Sequence, residues 1–386
     1  MTVITDSESL LLLCGRLSHA PYITVDTEFM REKTYWPQLC LVQLADENEA
    51  AAVDVLAEDI NLRPLLDLMA NKKVLKVFHA ARQDLEIFYR LMGALPAPLF
   101  DTQVAAMVCG FGDSAGYETL VRNLTDRVID KSSRFTDWAQ RPLTEKQIDY
   151  AVADVTHLRE VYLRLAQNLE KNGRREWLEE ELSDLLDNDN YAFSPDAAWR
   201  RIKSRGAKPR YFAILREIAA WREREAQSRD LPRGRILRDE ALVEIAHHAP
   251  TTSSALARIR GLGQKLADGP MGRKLIDAIQ AGLDVPESKL PKIKKNKPLP
   301  RGFGPVTDLL KVLLKHKCEE HDVAQKLIAT SDDLEKIAVY GDKADVRALH
   351  GWRRDIFGND ALAVRSGNLA LVVNGQALEL VEFDDG

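Results

Sequence analysis

The stretch Val25-Asp26-Thr27-Glu28-Phe29 follows an apolar, β-favouring run (Tyr22, Ile23, Val25) and sets two carboxylates two residues apart. Residues i and i+2 of a strand share a face, so Asp26 and Glu28 are expected to project together from a buried sheet edge. Neighbouring carboxylates repel at neutral pH unless a cation sits between them. Magnesium and manganese, hard ions that prefer oxygen ligands, suit that position. An acidic pair that merely meets solvent at a strand end is the commoner meaning of so short a pattern, so the rest of the chain has to decide.

Working outward, Phe78-His79-Ala80-Ala81-Arg82-Gln83-Asp84-Leu85-Glu86 lies where a strand gives way to a helix, which places Asp84 in the first helical turn. Leu85, Phe88, Leu91 and Met92 supply that helix's buried stripe. An acid there also meets the helix dipole favourably, a purely structural role. Further on, Thr144 caps a long helix, and Gln147 at the third position completes a capping box. Tyr150 and Asp154, four apart on that helix, share one face; a plain hydrogen-bonded pair would have the same spacing. Between these segments, Asp101 reads as a helix N-cap. The loop from Gly110 to Gly116 lacks GxGxxG and P-loop patterns, so no nucleotide cofactor is expected. Lys131, Arg134, Phe135, Trp138 and Arg141 make a basic, aromatic stretch that either carries a strand of nucleic acid or folds its aromatics inward.

Taken in order, Val-Asp-Thr-Glu-Phe on a strand, an Asp five after His79, and Tyr-x-x-x-Asp on a later helix resemble the three-motif signature of the DnaQ-like 3′–5′ exonucleases with tyrosine in the third motif. Thr-Tyr-Trp-Pro-Gln-Leu-Cys-Leu-Val-Gln-Leu (34–44), Ala-Arg-Gln-Asp-Leu-Glu (81–86) and Phe-Asp-Thr-Gln (100–103) narrow the resemblance to the ribonuclease D family. The resemblance implies an α/β ribonuclease H-like exonuclease domain over 1–195, with a mixed sheet flanked by helices. It implies Asp26, Glu28, Asp84 and Asp154 as ligands of two divalent ions, Mg2+ or Mn2+, and Tyr150 as their catalytic partner. An ordinary phenol, with a pKa of about 10, is a poor base at neutral pH, so Tyr150 is assigned to orienting the attacking water. His79 is expected to be structural.

A chain of 386 residues with 45% hydrophobic and 29% charged content fits two or three soluble domains. No apolar run approaches the ~20 residues that span a bilayer, and Asp6 and Glu8 precede Leu10 to Leu13, where a signal peptide would carry positive charge. The 4 cysteines form no CxxC pair, which fits a reducing cytoplasm. Net charge is strongly segmented: −12 over residues 1–195, +13 over 196–316 and −6 over 317–386. An acidic centre joined to a basic arm suits a metal site with a polyanion-binding partner segment.

Residues 170–189 read as one acidic helix. Residues 208–285 resemble the all-α HRDC domain, which in this family is an accessory nucleic-acid-binding module. A Pro/Lys linker over 286–305 (Pro286, Pro291, Pro298, Pro300 and Pro305 among Lys289, Lys292, Lys294, Lys295 and Lys297) cannot be helical. Residues 306–386 resemble a second, divergent and acidic HRDC-type helical domain, closed by a hairpin at Asn374-Gly375-Gln376. The expectation is a cytoplasmic, monomeric, metal-dependent exoribonuclease that acts on RNA with a free 3′ end, such as tRNA precursors, with no membrane attachment. It would release nucleoside 5′-monophosphates. A DNA exonuclease of the same superfamily and a non-catalytic RNA-binding scaffold remain open. Cutting near residue 195 is expected to leave an active but less discriminating nuclease.

Overall fold

The computed structural model describes residues 2–130, 132–203, 208–292, 300 and 302–383. Lys131 and the linker residues Lys294, Lys295, Lys297 and Pro298 lie outside them. After β1 (Thr2–Ile4) and α1 (Ser7–Leu17), strands β2 (Tyr22–Met30), β3 (Gln38–Ala45) and β4 (Ala50–Asp54) form an antiparallel meander. Asp6 caps α1 by accepting from the Ser9 amide at 2.8 Å. Next come α2 (Arg63–Ala70), β5 (Leu75–Phe78), α3 (Arg82–Met92) and β6 (Leu99–Asp101), in which β5 and β6 add parallel strands.

The resulting order is β1-β4-β3-β2-β5-β6, so β2 lies inside the sheet and not at its edge. Its pairing with β5 nevertheless stops at Thr24 opposite Val77. The half of β2 that carries Asp26 and Glu28 therefore outruns its parallel neighbour and has one side open, while β3 continues along the other. A register shift between Glu28 and Phe29 bends the strand just past the second acid.

Four helices complete this half: α4 (Thr102–Val108), α5 (Tyr117–Thr125), α6 (Glu145–Lys171) and α7 (Arg175–Leu185). Asp101 caps α4, accepting from Gln103 N at 2.7 Å, and also takes the amides of Ala80 and Ala81, which ties the start of α3 to β6. The capping box of Thr144 and Gln147 starts α6, whose Val155, Leu158, Val161 and Leu165 are buried. Two expectations fail locally. Leu91 is 42% exposed, and the buried face of α3 is Asp84, Leu85, Ile87 and Phe88. The acidic run is not one helix either: α6 ends at Lys171, Gly173 turns the chain at φ +66°, and α7 begins at Arg175.

The C-terminal half is helical. The long helix α8 (Pro209–Arg229) packs with helices Asp239–His248 and Pro270–Asp284. Their core also buries Tyr35 and packs against Trp36, both from the loop between β2 and β3. The Tyr35 hydroxyl donates to the buried Glu223 and accepts from Arg233 at 2.9 Å, and Asp230 accepts from the amides of both Tyr35 and Trp36.

Helices Gly304–Glu320, Ser331–Tyr340 and Asn359–Ser366 follow, then a hairpin of β7 (Leu369–Asn374) and β8 (Ala377–Glu382). Pro305, expected in the linker, instead occupies the first turn of Gly304–Glu320, where its missing N–H goes unused in any case. Asn374 pairs with Ala377, so the hairpin turn is Gly375-Gln376, with Gly375 at φ +63°. Leu310, Leu313, Ile337 and Phe357 of this region share one apolar cluster with Leu10, Val25, Phe88 and Val161.

Arginines dock that last region on α7. Trp352 stacks on Trp177 at 4.2 Å and 9°. Arg353, buried beside that stack, pairs with Glu181 and with Glu180 at 2.5 Å, and Arg347 reaches Glu181 and Asp184 at 3.0 Å. The acidic run is thus, in part, an intramolecular interface. Among the described residues, no helix is long and apolar enough to cross a membrane.

Candidate active site

Asp26 and Glu28 leave the open half of β2 on one face, as alternation requires. Asp154 reaches the same place from α6, and one carboxylate oxygen of each acid lies within 4.8 Å of the others. Asp84 stands outside this trio at the start of α3, where Thr27, the residue between the two strand acids, donates its hydroxyl to it. Asp84 still feels the trio, because after burial the charge of Asp26 is the largest influence raising its carboxyl. Asp26 is therefore the acid whose charge acts on each of the other three.

Burial and crowding together leave these acids short of solvation. Burial pushes Asp26 up to about 6. Burial and then the charge of Asp26 push Asp154 up to about 8 and Asp84 well above the usual carboxylate range. Glu28, facing all three after burial, rises to about 10. An all-oxygen donor set that resists ionisation until a cation arrives fits a hard divalent ion. Asp26, Glu28, Asp84 and Asp154 are the residues that would hold it.

Tyr150, one turn before Asp154, hydrogen-bonds to that carboxylate. Burial, then Asp154 and Glu28, push the phenol further above its ordinary value, so its hydroxyl keeps the proton it shares with the Asp154 carboxylate. Its ring lies 6.1 Å from that of the buried Trp138. Tyr117 steadies the turn behind by donating its hydroxyl to the Asp154 backbone carbonyl. His79 lines the cleft, but its Nδ1 meets the Thr102 hydroxyl at 3.0 Å. That hydroxyl donates to the Phe78 carbonyl, so its oxygen accepts and Nδ1 carries the hydrogen. Burial pulls the imidazole below its usual range, which makes His79 a neutral wall residue.

The acids open into a cleft of about 670 Å³ whose rim carries Arg31, Lys33, Arg134 and Phe135. Arg31 is held by a bidentate pair with Glu86 of α3 at 2.8 and 2.9 Å. The basic-aromatic stretch therefore divides. Trp138 folds inward, and Arg141 clamps Asp54 at 2.6 Å, whereas Arg134 and Phe135 stay at the cleft. Sequence reasoning missed Thr27, Tyr117 and Glu86. A hydroxyl between two acids was a usable signal for Thr27, while nothing local marked the other two.

Residues 1–170 match the 3′-5′ exonuclease family, and residues 212–279 match the HRDC domain. Over 382 residues the chain is 50% identical to ribonuclease D of Nitrobacter hamburgensis, covering 99% of this chain and 100% of that one. The chain belongs to the ribonuclease D family. Ribonuclease D of Granulibacter bethesdensis is 49% identical over 381 residues, 98% of this chain and 96% of its own. The crystal structure of Escherichia coli RNase D, described as an exoribonuclease involved in structured RNA processing, matches with a TM-score of 0.81 at 30% identity, over 95% of this chain and 98% of that one. Membership makes the chain a 3′–5′ exoribonuclease and implies dependence on a divalent metal.

The raised acids make a pH prediction with a definite sign. Their folded pKa values exceed the unfolded ones, so the folded state holds the extra protons. The stability they contribute is full below about pH 4 and is lost as pH rises through about 6 for Asp26 and about 8 for Asp154. In a chelator, the melting temperature is expected to fall from pH 5.5 to 8.5 more steeply than in a Glu28→Gln variant. Magnesium or manganese should remove that difference, because the cation replaces the protons. Parallel pH profiles with and without metal would contradict it.

Proposed function

We propose that this chain trims the 3′ ends of structured RNAs, tRNA precursors among them, by two-metal-ion hydrolysis that releases nucleoside 5′-monophosphates. The observation that carries this reading is the convergence of Asp26, Glu28 and Asp154 on an open cleft, with Asp84 coupled to them through Asp26. Asp26, Glu28, Asp84 and Asp154 would hold the ions, and the ligand atoms of Asp26, Glu28 and Asp154 lie close enough together to share one. Bound magnesium or manganese would lower the pKa of the attacking water and offset charge on the phosphate and the leaving 3′ oxygen. Tyr150, kept protonated, orients the water through its hydroxyl. Attack at phosphorus with departure of the 3′ oxygen leaves the phosphate on the 5′ side of the released nucleotide.

The division into a catalytic part (1–195), a first helical domain (208–285), a linker (286–305) and a second helical domain (306–386) belongs to this proposal, as do a cytoplasmic location and a monomeric state. The +13 balance of 196–316 supports a role in holding the phosphate backbone.

Tyr150→Phe keeps the ring against Trp138 and removes only the hydroxyl. Turnover is expected to fall about 10²–10⁴-fold, the scale of one positioned proton-handling group, with metal binding retained. Wild-type turnover by this variant would make Tyr150 a core residue only. The proposal as a whole is tested by digesting matched RNA and DNA strands with free or blocked 3′ ends in magnesium or manganese. Stepwise release of 5′-monophosphates from free-ended RNA alone is the expected result. Equal digestion of DNA would point to the DNA exonuclease, and binding without cleavage to the scaffold.

A further inference from the structure

Phe135 is 90% exposed, the most exposed large hydrophobic side chain among the described residues, and it stands on the wall of the acidic cleft. It is held there by an ordered turn. The Thr136 hydroxyl donates to the Ser133 carbonyl at 2.9 Å, the Gln147 amide of α6 donates to the Thr136 hydroxyl at 3.1 Å, and Trp138 anchors the chain beyond by burying itself beside Tyr150. The same turn sends its two aromatics in opposite directions, Trp138 into the core and Phe135 into water. The only ring contact Phe135 makes among the described residues is the Arg134 guanidinium, 5.2 Å from its centroid. Arg134 in turn acts electrostatically on Glu28 and Asp154. The wall therefore offers an aromatic face beside a cation that is within electrostatic reach of the metal-binding acids.

We propose that Phe135 is a base-stacking subsite: an unpaired nucleobase within one nucleotide of the scissile phosphate lies on its ring, while Arg134 faces the adjoining phosphate. The assignment rests on the exoribonuclease reading above and deepens it by naming how the strand's end is gripped. Phosphate and sugar contacts alone would hold a paired end as well as an unpaired one. A single exposed ring beside the cleft best accommodates a base that has left its own helix. The subsite therefore selects RNA whose last nucleotides are unpaired, without reading their sequence, because every base has a π-face.

The test uses the full chain in magnesium, with an oligoribonucleotide carrying an unpaired 3′ end and a matched strand whose two terminal nucleotides are abasic. Phe135→Ala is expected to raise KM for the intact strand about 5–150-fold, the range that stacking on one aromatic supplies. Phe135→Trp should restore it, and Phe135→Leu, apolar but not aromatic, should not. On the abasic strand, the protein and its Phe135→Ala variant should show the same KM. Because the ring is exposed, none of these substitutions should move the melting temperature, which separates a lost platform from a damaged fold. Equal KM values for the protein and Phe135→Ala on the intact strand, while both still cut RNA, would overturn the subsite and leave the activity standing. Absence of cutting by the unmodified protein would overturn both.

Discussion

Asp26→Asn is expected to cut turnover by at least about 10³-fold at saturating magnesium or manganese. Losing one charge-stabilising group in an active site already costs ~10²–10³, and Asp26 is the acid whose charge acts on Glu28, Asp84 and Asp154 alike. The amide keeps the shape and removes the charge, so the four acids would no longer supply a full ligand set. Asp154→Asn should fail similarly, because it breaks the trio within 4.8 Å. The same substitutions should raise the melting temperature of the metal-free protein at pH 8, since they relieve repulsion between crowded, partly buried carboxylates. Loss of rate with gain of stability is a pairing that simple misfolding cannot produce. Strong residual turnover by either variant would remove the two-metal assignment.

A chain ending at residue 195 is expected to lose most of its stability and aggregate. The sequence alone pointed to a fragment that stays active, because all four acids and Tyr150 precede the cut. The tertiary structure changes the expected outcome. Truncation strips Trp177 of its stacking partner Trp352, leaves Tyr35 without its pocket on α8, and uncovers the apolar cluster shared with Leu310, Leu313 and Phe357. Each large side chain returned to water costs about 1.5–3 kcal/mol, and a domain's whole stability is only about 5–15 kcal/mol. The cut also frees the loop that carries Lys33, which Tyr35 and Trp36 pin to Asp230. Solubility, thermal melting and turnover on a short oligonucleotide would decide it. A soluble 1–195 fragment with the melting temperature and turnover of the full chain would show that the shared cluster is dispensable.

Much of the site was legible because its signals are local. Strand alternation put Asp26 and Glu28 on one face, helical spacing did the same for Tyr150 and Asp154, and the caps at Asp101 and Thr144 depend only on neighbours within three residues. The hairpin at Gly375 and the helix starting after Phe78 were readable for the same reason. Partnerships across the chain were not. Alternation cannot tell an edge strand from an interior strand that outruns its neighbour, so the position of β2 awaited the strand order. The split of residues 134–141 into a displayed Phe135 and a buried Trp138 depends on what α6 and β3 place beside them. From the sequence, the acidic run after Glu170 reads only as one charged helix. Its role as the seat of Arg347 and Arg353, more than 160 residues away, exists only once the chain has closed on itself. The sequence thus determined the chemistry and the elements that carry it. The tertiary structure decided which surfaces are free to meet RNA, because burial is a property of distant residues brought into contact.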